Sequence, residues 1–262
     1  MLLGISMGLA NGGVAFCQAG TNDGAQSALP DAPAPQVATD TDVTVRGLPK
    51  AVLHDQRAIW TSPARIRTKD LLWLAPLAAA AGVGIATDHY TMSSVVSHDP
   101  SFNGDSVNVS NTLIGGFIAA PVVLFGYGQF EHNDDARETG LLGAEALTDG
   151  VVVEQGLKLV FWRERPAMDN AHGLFFQSGA GIDSSFPSSH AVLAWSSAAV
   201  IAERYPSRWV QLGVYSLASG VSLTRVMGRE HFPTDVLVGS AAGWLVGHYV
   251  ARAHRRHRTE LR

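Results

Sequence analysis

From residue 70 onward, the chain alternates between long apolar stretches and short polar segments. Five of the stretches contain no Asp, Glu, Lys or Arg: residues 71–87, 106–130, 184–202, 209–224 and 236–251. A sixth stretch, residues 140–162, has a helical pattern but carries four charged side chains: Glu145, Asp149, Glu154 and Lys158. The alternation of apolar and polar residues that is typical of strands is not convincing anywhere. The pattern therefore predicts an all-α fold, a six-helix bundle.

The lengths of these stretches bear on whether the helices cross a membrane. A spanning helix needs about 20 apolar residues, with about 17 as the lower limit, and several stretches fall at that limit. Charged residues make up 16% of the chain, whereas about 25% is usual in soluble domains. In a six-span topology, the basic residues at 65–69 and 252–258 are cytoplasmic. We expect a bundle embedded in the cell membrane; a periplasmic bundle that only touches the membrane is the alternative.

The N-terminal part of the chain differs in composition from the rest. Residues 1–19 are apolar and end on small residues around Cys17, as a secretory signal does, but no Lys or Arg precedes Arg46. This indicates either a start further upstream or a segment without a targeting role, and a cleaved signal conflicts with the six-span topology. We divide the chain into a candidate signal or anchor segment (1–19), a disordered linker with a short amphipathic segment (20–65), a helical domain (66–252) and a basic tail (253–262).

Charge and cysteine content exclude several functions. The net charge is −4, and no basic stripe interleaved with aromatic residues occurs, so nucleic acid is not an expected partner. Cys17 is the only cysteine, which excludes an internal disulfide and a thiolate metal site. The sequence shows no compact cluster of Asp, Glu and His, so we expect neither a metal nor another cofactor. It does not indicate an oligomeric state.

The first motif with chemical potential is Lys158, followed after six residues by Arg165 and Pro166. Seven positions are two helical turns, so the two cations lie on the same face. Pro166 disfavours helix at the preceding residue, which presents Arg165 at the end of the element. Taken alone, the motif also fits a solvated helix end or basic anchors at a membrane interface.

The second motif runs from Phe186 through Pro187, Ser188 and Ser189 to His190. We expect Pro187 at the first position of a helix, followed by small residues that leave the backbone N–H groups accessible. Such a helix terminus binds anions readily. By itself, the motif also fits an ordinary helix start capped by serine.

The third motif places His231 six residues after Arg225 and four residues before Asp235. Arg225 ends one apolar helix and Pro233 begins the next, so His231 lies in a tight connection. A carboxylate at this offset can accept the proton of one ring nitrogen and leave the other as a nucleophile. The alternative is a structural His–Asp pair.

In order and spacing, the three motifs resemble the signature motifs of the type 2 phosphatidic acid phosphatases. This superfamily also contains vanadium haloperoxidases and bacterial class A acid phosphatases. Its patterns are Lys-x6-Arg-Pro, Pro-Ser-Gly-His and Ser-Arg-x5-His-x3-Asp. The chain departs from them twice, with Ser189 in place of glycine and Thr224 in place of serine. Neither change removes a charged or nucleophilic group.

The resemblance implies a role for each motif residue. Five of them would hold the oxygens of a phosphoryl group: Lys158, Arg165, Ser188, Ser189 and Arg225. His231 would attack phosphorus and form a phosphohistidine, oriented by Asp235, while His190 would protonate the leaving group. The connection at 166–186 would either cover the site or be a plain mobile loop. We expect four nearby charged residues to be solvated or mutually paired: Arg163, Glu164, Arg229 and Glu230.

The resemblance further implies a metal-independent phosphatase that hydrolyses a phosphomonoester or diphosphate of a lipid. The partners would be a phosphorylated lipid or small phosphate ester and the membrane, with the active site on the extracytoplasmic side. Three alternatives stay open: a vanadate-dependent haloperoxidase, a soluble periplasmic non-specific acid phosphatase, and a non-catalytic membrane scaffold.

Overall fold

Helices dominate the residues that the computed structural model describes, which are 44–177 and 183–260. The α-helices are α1 (Leu48–Thr61), α2 (Leu71–Tyr90), α3 (Pro100–Phe130), α4 (Asp134–Phe161), α5 (Ser189–Arg204), α6 (Arg208–Met227) and α7 (Pro233–Glu260). No strand occurs within the described ranges. The all-α class is confirmed, and α2 to α7 correspond to the six predicted helices, with α1 as an additional helix before them.

Local sequence signals set the starts of several helices. Pro100 stands in the first turn of α3, where its missing N–H costs nothing, and the Asp99 side chain accepts a hydrogen bond from the Ser101 backbone at 3.0 Å. At α4, the Asn133 side chain accepts a hydrogen bond from the Ala136 backbone at 2.9 Å. These caps satisfy backbone donors that have no partner inside the helix.

Helix α5 lies at the centre of the bundle, in contact with α3, α4, α6 and α7. Its packing against α7 is close enough to require glycine. A Cβ atom on Gly243 would lie 2.2 Å from the Val192 carbonyl oxygen, and one on Gly247 would lie 2.2 Å from the Ser196 carbonyl oxygen. Several small side chains of α5 are fully buried: Ala191, Ala194, Ala198 and Ala199. The core thus holds the helix that begins with the second motif.

Two helical segments have the length and composition of membrane spans: Thr68–Val95, with a mean hydropathy of 1.5, and Pro100–Phe130, with 1.7. Only 0% and 22% of their most apolar windows are buried inside the protein, whereas the core helix of a soluble protein buries most of its apolar face. Their exposed apolar side chains give the chain its membrane character. Among the described residues, α4 to α7 do not have this length and apolar composition, so these properties indicate membrane spans for two of the six predicted helices.

The described helices also bear on the expected division of the chain. Helix α1 lies inside the segment 20–65 that we assigned to the linker and amphipathic segment, and α7 extends to Glu260, past the expected start of the tail at 253. The candidate signal segment and the linker up to residue 43 lie outside the described residues.

Candidate active site

The start of α5 forms one wall of the site. The helix begins at Ser189 and Ser188 is its N-cap with an extended backbone, so the expectation that Pro187 is the first helical residue is wrong. Pro187 precedes the cap, and its peptide bond with Phe186 is cis. The Ser188 N–H donates to the Asp235 carbonyl at 3.1 Å. Its buried hydroxyl has no hydrogen-bond partner among the described residues, which leaves it available to a ligand.

Lys158 reaches this terminus from the last turn of α4. Its Nζ atom lies 2.8 Å from Oε1 of Glu154 and donates to the Ser189 hydroxyl at 3.0 Å, and that hydroxyl donates to Glu154 at 2.5 Å. All three groups lie in a largely buried cluster. Glu154 therefore partners the cation, a role that the sequence analysis did not assign. Its position four residues before Lys158 on one helix was the available signal.

Arg165 and Arg225 converge on a single carboxylate. Nη1 of Arg165 lies 3.3 Å from Oε2 of Glu230, and Nη2 of Arg225 lies 3.2 Å from the same oxygen. The buried Nε of Arg225 has no partner among the described residues. Because guanidinium groups bind carboxylate and phosphate oxygens in the same way, these two arginines are placed to share one phosphoryl group. Glu230 is therefore paired with two motif arginines, and not solvated or paired with Arg163 or Arg229 as we expected.

His231 is buried, and one of its ring nitrogens forms a hydrogen bond with a backbone carbonyl group. Nδ1 lies 2.8 Å from the Ser185 carbonyl oxygen, which can only accept, so Nδ1 is the donor. Oδ2 of Asp235 lies 3.6 Å from the same nitrogen, beyond a hydrogen bond. The ring proton thus goes to a carbonyl rather than to Asp235, whose carboxylate acts on the ring by its charge. In the neutral ring, Nε2 is then the nitrogen that carries no proton.

Arg163 is 1% exposed and pairs with Asp235 and Asp88, so the expectation that it is solvated or paired with Glu164 or Glu230 is wrong. Its Nη1 lies 2.6 Å from Oδ1 of Asp235 and its Nη2 lies 2.8 Å from Oδ2 of Asp88. The rings of Phe175 and Phe232 cover the guanidinium, at 4.7 and 4.1 Å from their centroids. Arg163 therefore fixes the carboxylate that stands beside His231.

His190 donates one hydrogen bond to a residue of α3, with Nε2 3.1 Å from Oδ1 of Asn111, an amide oxygen that can only accept. Burial, followed by the effect of nearby basic groups, lowers the pKa of His190 to about 4; these groups are Arg225, His231, Arg165 and Lys158. Burial also lowers the pKa of His231, against the opposing effect of Asp235. Each of these four predicted residues therefore lies close enough to His190 to affect its pKa. Both imidazoles are neutral at neutral pH, and a bound phosphate dianion favours protonation of His190.

The connection after α4 packs against the end of that helix. The Phe176 N–H donates to the Phe161 carbonyl at 2.9 Å, and the Phe175 ring meets the Phe161 and Phe186 rings edge to face. The described part of the connection is thus anchored next to the start of the second motif. Whether it covers a substrate stays a prediction.

Four supporting roles were not predicted from the sequence: those of Asp88, Asn111, Glu154 and the buried Arg163. Asp88 follows directly on an uncharged stretch, and an isolated carboxylate there is a signal for a buried partner. Asn111 gives no such signal, because a polar amide in α3 fits many contacts.

Comparison with known proteins agrees with this geometry. Residues 139–259 match the model of the PAP2 superfamily, and all three motifs lie inside this range. The helical region that carries the motifs is therefore similar to the PAP2 superfamily. The resemblance drawn from the motifs is therefore confirmed.

Two further similarities were found in addition to the PAP2 match. Over 65 residues the chain is 37% identical to a lipid A 1-phosphatase of Porphyromonas gingivalis, which is 24% of this chain and 15% of that relative. The chain is also similar to the crystal structure of the first transmembrane PAP2 type phosphatidylglycerolphosphate phosphatase from Bacillus subtilis. That similarity has 21% identity and a TM-score of 0.49 and covers 80% of this chain and 96% of that chain.

One expectation about acidic groups is wrong. Outside the PAP2 site, three buried carboxylates form a compact cluster, those of Asp55, Glu145 and Asp149. The sequence could not reveal it, because Asp55 lies far from the other two in the chain.

Proposed function

We propose that this PAP2 protein is a phosphatase that hydrolyses a phosphomonoester or diphosphate of a lipid through a phosphohistidine. The observation that carries the proposal is the convergence of Arg165 and Arg225 on one acceptor oxygen, next to His231 and His190. Two guanidiniums aimed at one anion, with two imidazoles beside it, supply the positioning and charge stabilisation that phosphoryl transfer requires.

In the first step, Nε2 of His231 attacks phosphorus while the bond to the leaving oxygen breaks. Protonated His190 donates its proton to that oxygen, so the alcohol or phosphate leaves in its neutralised form. The charge on the equatorial oxygens is balanced by three cations, those of Lys158, Arg165 and Arg225, and by the N–H groups at the start of α5. The substrate displaces Glu230, whose side chain is 38% exposed and therefore has room to move.

In the second step, neutral His190 takes a proton from water, and the hydroxyl attacks the phosphohistidine. The P–N bond breaks, inorganic phosphate forms, and His231 is restored. The protein's own cations neutralise the phosphoryl group, so we propose chemistry without a metal ion. Phosphate release should persist when EDTA is added immediately before the assay.

A lipid substrate is supported by an apolar cavity whose lining includes residues close in sequence to Arg225 and Asp235. The cavity has a volume of about 960 Å³, and its walls include Val226, which follows Arg225, and Pro233 and Val236, which flank Asp235 closely in sequence. An acyl or isoprenoid chain can lie there while its phosphate meets the two guanidiniums. The similarity to a lipid A 1-phosphatase agrees with a lipid phosphate.

The site is proposed to face the extracytoplasmic side. Asp88, near the end of α2, contacts Arg163 at 2.8 Å, so this end of the helix lies at the site. The basic residues Arg65, Arg67 and Lys69 precede the opposite end of α2. Since basic flanks favour the cytoplasm, the site end of α2 faces outward. Labelling of Ser93→Cys in a Cys17→Ser background by an impermeant thiol reagent in intact cells tests this; protection until lysis would reverse the orientation.

The function is tested by phosphate release from lipid phosphates in detergent micelles and from soluble p-nitrophenyl phosphate. We expect His231→Ala to lower turnover on the order of 10³-fold or more and to remove an alkali-stable ³²P label from the protein. His190→Ala should cost about 10²–10⁴-fold with poor leaving groups and less with p-nitrophenol. Exposed His98→Ala is the matched control.

Two results would overturn the assignment. Near-wild-type turnover in His231→Ala would show that this residue is not the nucleophile. Bromide oxidation with peroxide and vanadate, without phosphate release from any substrate, would make the protein a haloperoxidase.

A further inference from the structure

Three buried carboxylates meet between α1 and α4, away from the PAP2 site. Asp55, Glu145 and Asp149 are 3%, 1% and 0% exposed, and each offers an oxygen within 4.8 Å of the other two. The unpartnered atoms are Oδ2 of Asp55, both carboxylate oxygens of Glu145 and Oδ2 of Asp149, none of which has a hydrogen-bond partner among the described residues.

The surrounding groups do not neutralise the cluster. Asp55 accepts a hydrogen bond from the Tyr249 hydroxyl at 3.2 Å, and Asp149 accepts one from the Gln56 side chain at 2.7 Å. Two imidazoles approach from its edges, with Nδ1 of His54 3.2 Å from Asp55 and Nε2 of His254 3.8 Å from Glu145. No Lys or Arg of the described part of the chain forms an ion pair with these carboxylates.

Such a group of carboxylates requires a counter-charge. Burying an ionised carboxylate without a partner is strongly unfavourable, and three together repel one another. Either protons or a cation must compensate. Free oxygens from three side chains favour a cation: oxygens that bind one ion at about 2.3–2.6 Å lie at most roughly 5.2 Å apart, and the oxygens of this cluster all lie within 4.8 Å of one another.

We propose that Asp55, Glu145 and Asp149 bind one divalent cation of the oxygen-preferring class, such as Ca²⁺, Mg²⁺ or Mn²⁺. Carboxylates are the ligands that these hard cations prefer. Glu145 and Asp149, four residues apart, present adjacent oxygens from one face of α4, and Asp55 supplies the third ligand from α1. The ion therefore ties α1 to the helical bundle.

The contacts of α1 agree with a structural role. A Cβ atom on Gly156 would lie 2.6 Å from the Trp60 ring, so α1 packs closely on α4 beside the cluster. Asp149 precedes Lys158 by nine residues, which is about 14 Å along the helix. At this distance the ion stabilises the docking of α1 and does not contact the phosphate.

The test uses the full chain in detergent, stripped with EDTA and transferred to chelator-free buffer. CaCl₂, MgCl₂ or MnCl₂ is added at matched ionic strength, and bound metal is counted by mass spectrometry after gel filtration. We expect one ion per chain and a folding equilibrium shifted about 100-fold at 100 times the Kd. Trypsin cleavage at Lys50 and Arg57 of α1 should slow in parallel.

The variants Glu145→Gln and Asp149→Asn keep the side-chain volume and remove one charge each, which also relieves repulsion in the metal-free protein. Both should lose the bound ion and the cation-dependent protection, whereas Asp134→Asn, an exposed change on the same helix, should behave as wild type. The proposal is overturned if none of the three cations binds the wild type stoichiometrically, or if both cluster variants bind and respond as the wild type does. Because all readouts are binding and stability, failure here leaves the phosphatase proposal intact.

Discussion

Arg163→Met is the substitution that most directly tests how the site is held together. The guanidinium donates to Asp235 at 2.6 Å and to Asp88 at 2.8 Å while 1% exposed. Methionine keeps the apolar stem against Phe232 but removes the charge. Two buried carboxylates are then left without their cation, in a region where water does not replace it.

The expected cost follows from these contacts. Each charge-assisted hydrogen bond contributes about 1.5–3 kcal/mol, and removing one partner of a buried ion pair costs about 3–5 kcal/mol. The carboxylates are not fully orphaned, because Asp235 keeps the Phe232 N–H at 2.9 Å and Asp88 keeps the Thr234 N–H at 3.2 Å. We therefore expect a loss of about 3–5 kcal/mol in the free energy of unfolding.

The assay is denaturant unfolding of the protein in mild detergent, with phosphate release measured on the same samples. A double-mutant cycle with Asp88→Asn should give a coupling of about 1–3 kcal/mol, since the second change removes one orphaned charge. Arg137→Met, which breaks an exposed pair with Asp134, is the control and should cost less than about 1 kcal/mol. A loss in Arg163→Met no larger than this control, or the absence of coupling, would refute the reasoning.

Three further outcomes are expected. Gly243→Ala places a Cβ 2.2 Å from the Val192 carbonyl oxygen and should destabilise the protein by about 1–3 kcal/mol. The control is Gly115→Ala, whose Cβ meets nothing within 4 Å and which should be neutral or stabilising. Equal thermal unfolding of the two variants would contradict this expectation. Glu230→Gln removes the carboxylate that pairs with Arg165 and Arg225 and should lower the inhibition constant of orthovanadate about three- to fivefold. Weaker inhibition would show that Glu230 assists binding. Burial and neighbouring cations lower the pKa of His190 to about 4. The unfolded state therefore binds more protons than the folded state between about pH 4 and pH 6.5. The free energy of unfolding should consequently fall as the pH is lowered through this window. It should fall less in His190→Gln, and identical pH dependence of the two proteins would exclude the effect.

Much of the chemistry was readable from local spacing. His231 and Asp235 stand at an offset that a tight turn converts directly into proximity. Lys158 and Arg165 do not share a helix, because α4 ends at Phe161, so the expectation that they lie on one helical face is wrong. The order and spacing of the three motifs are sufficient to indicate the resemblance to the PAP2 superfamily. The hydrogen bond of His231 was not readable, because its acceptor is the carbonyl of Ser185, a backbone group of another segment.

The placement of Pro187 illustrates a different limit. Proline is common both at the first helical position and in turns before a helix, so sequence alone did not separate the two. In the structure the helix starts two residues later, so the first N–H groups of the helix follow Ser188 rather than Pro187.

By itself, the sequence determined the all-α class, the approximate extents of α2 to α7 and the residues of the three motifs, because helical periodicity and motif spacing are local properties of the chain. Only the tertiary structure decided which charges are paired. Arg163 meets Asp88 and Asp235 across 75 and 72 residues, and Asp55 joins Glu145 and Asp149 from a separate helix. A charged side chain that becomes buried next to another needs a compensating charge from a partner or a cation. Which side chains are buried depends on how the helices pack, and no local sequence pattern encodes that packing.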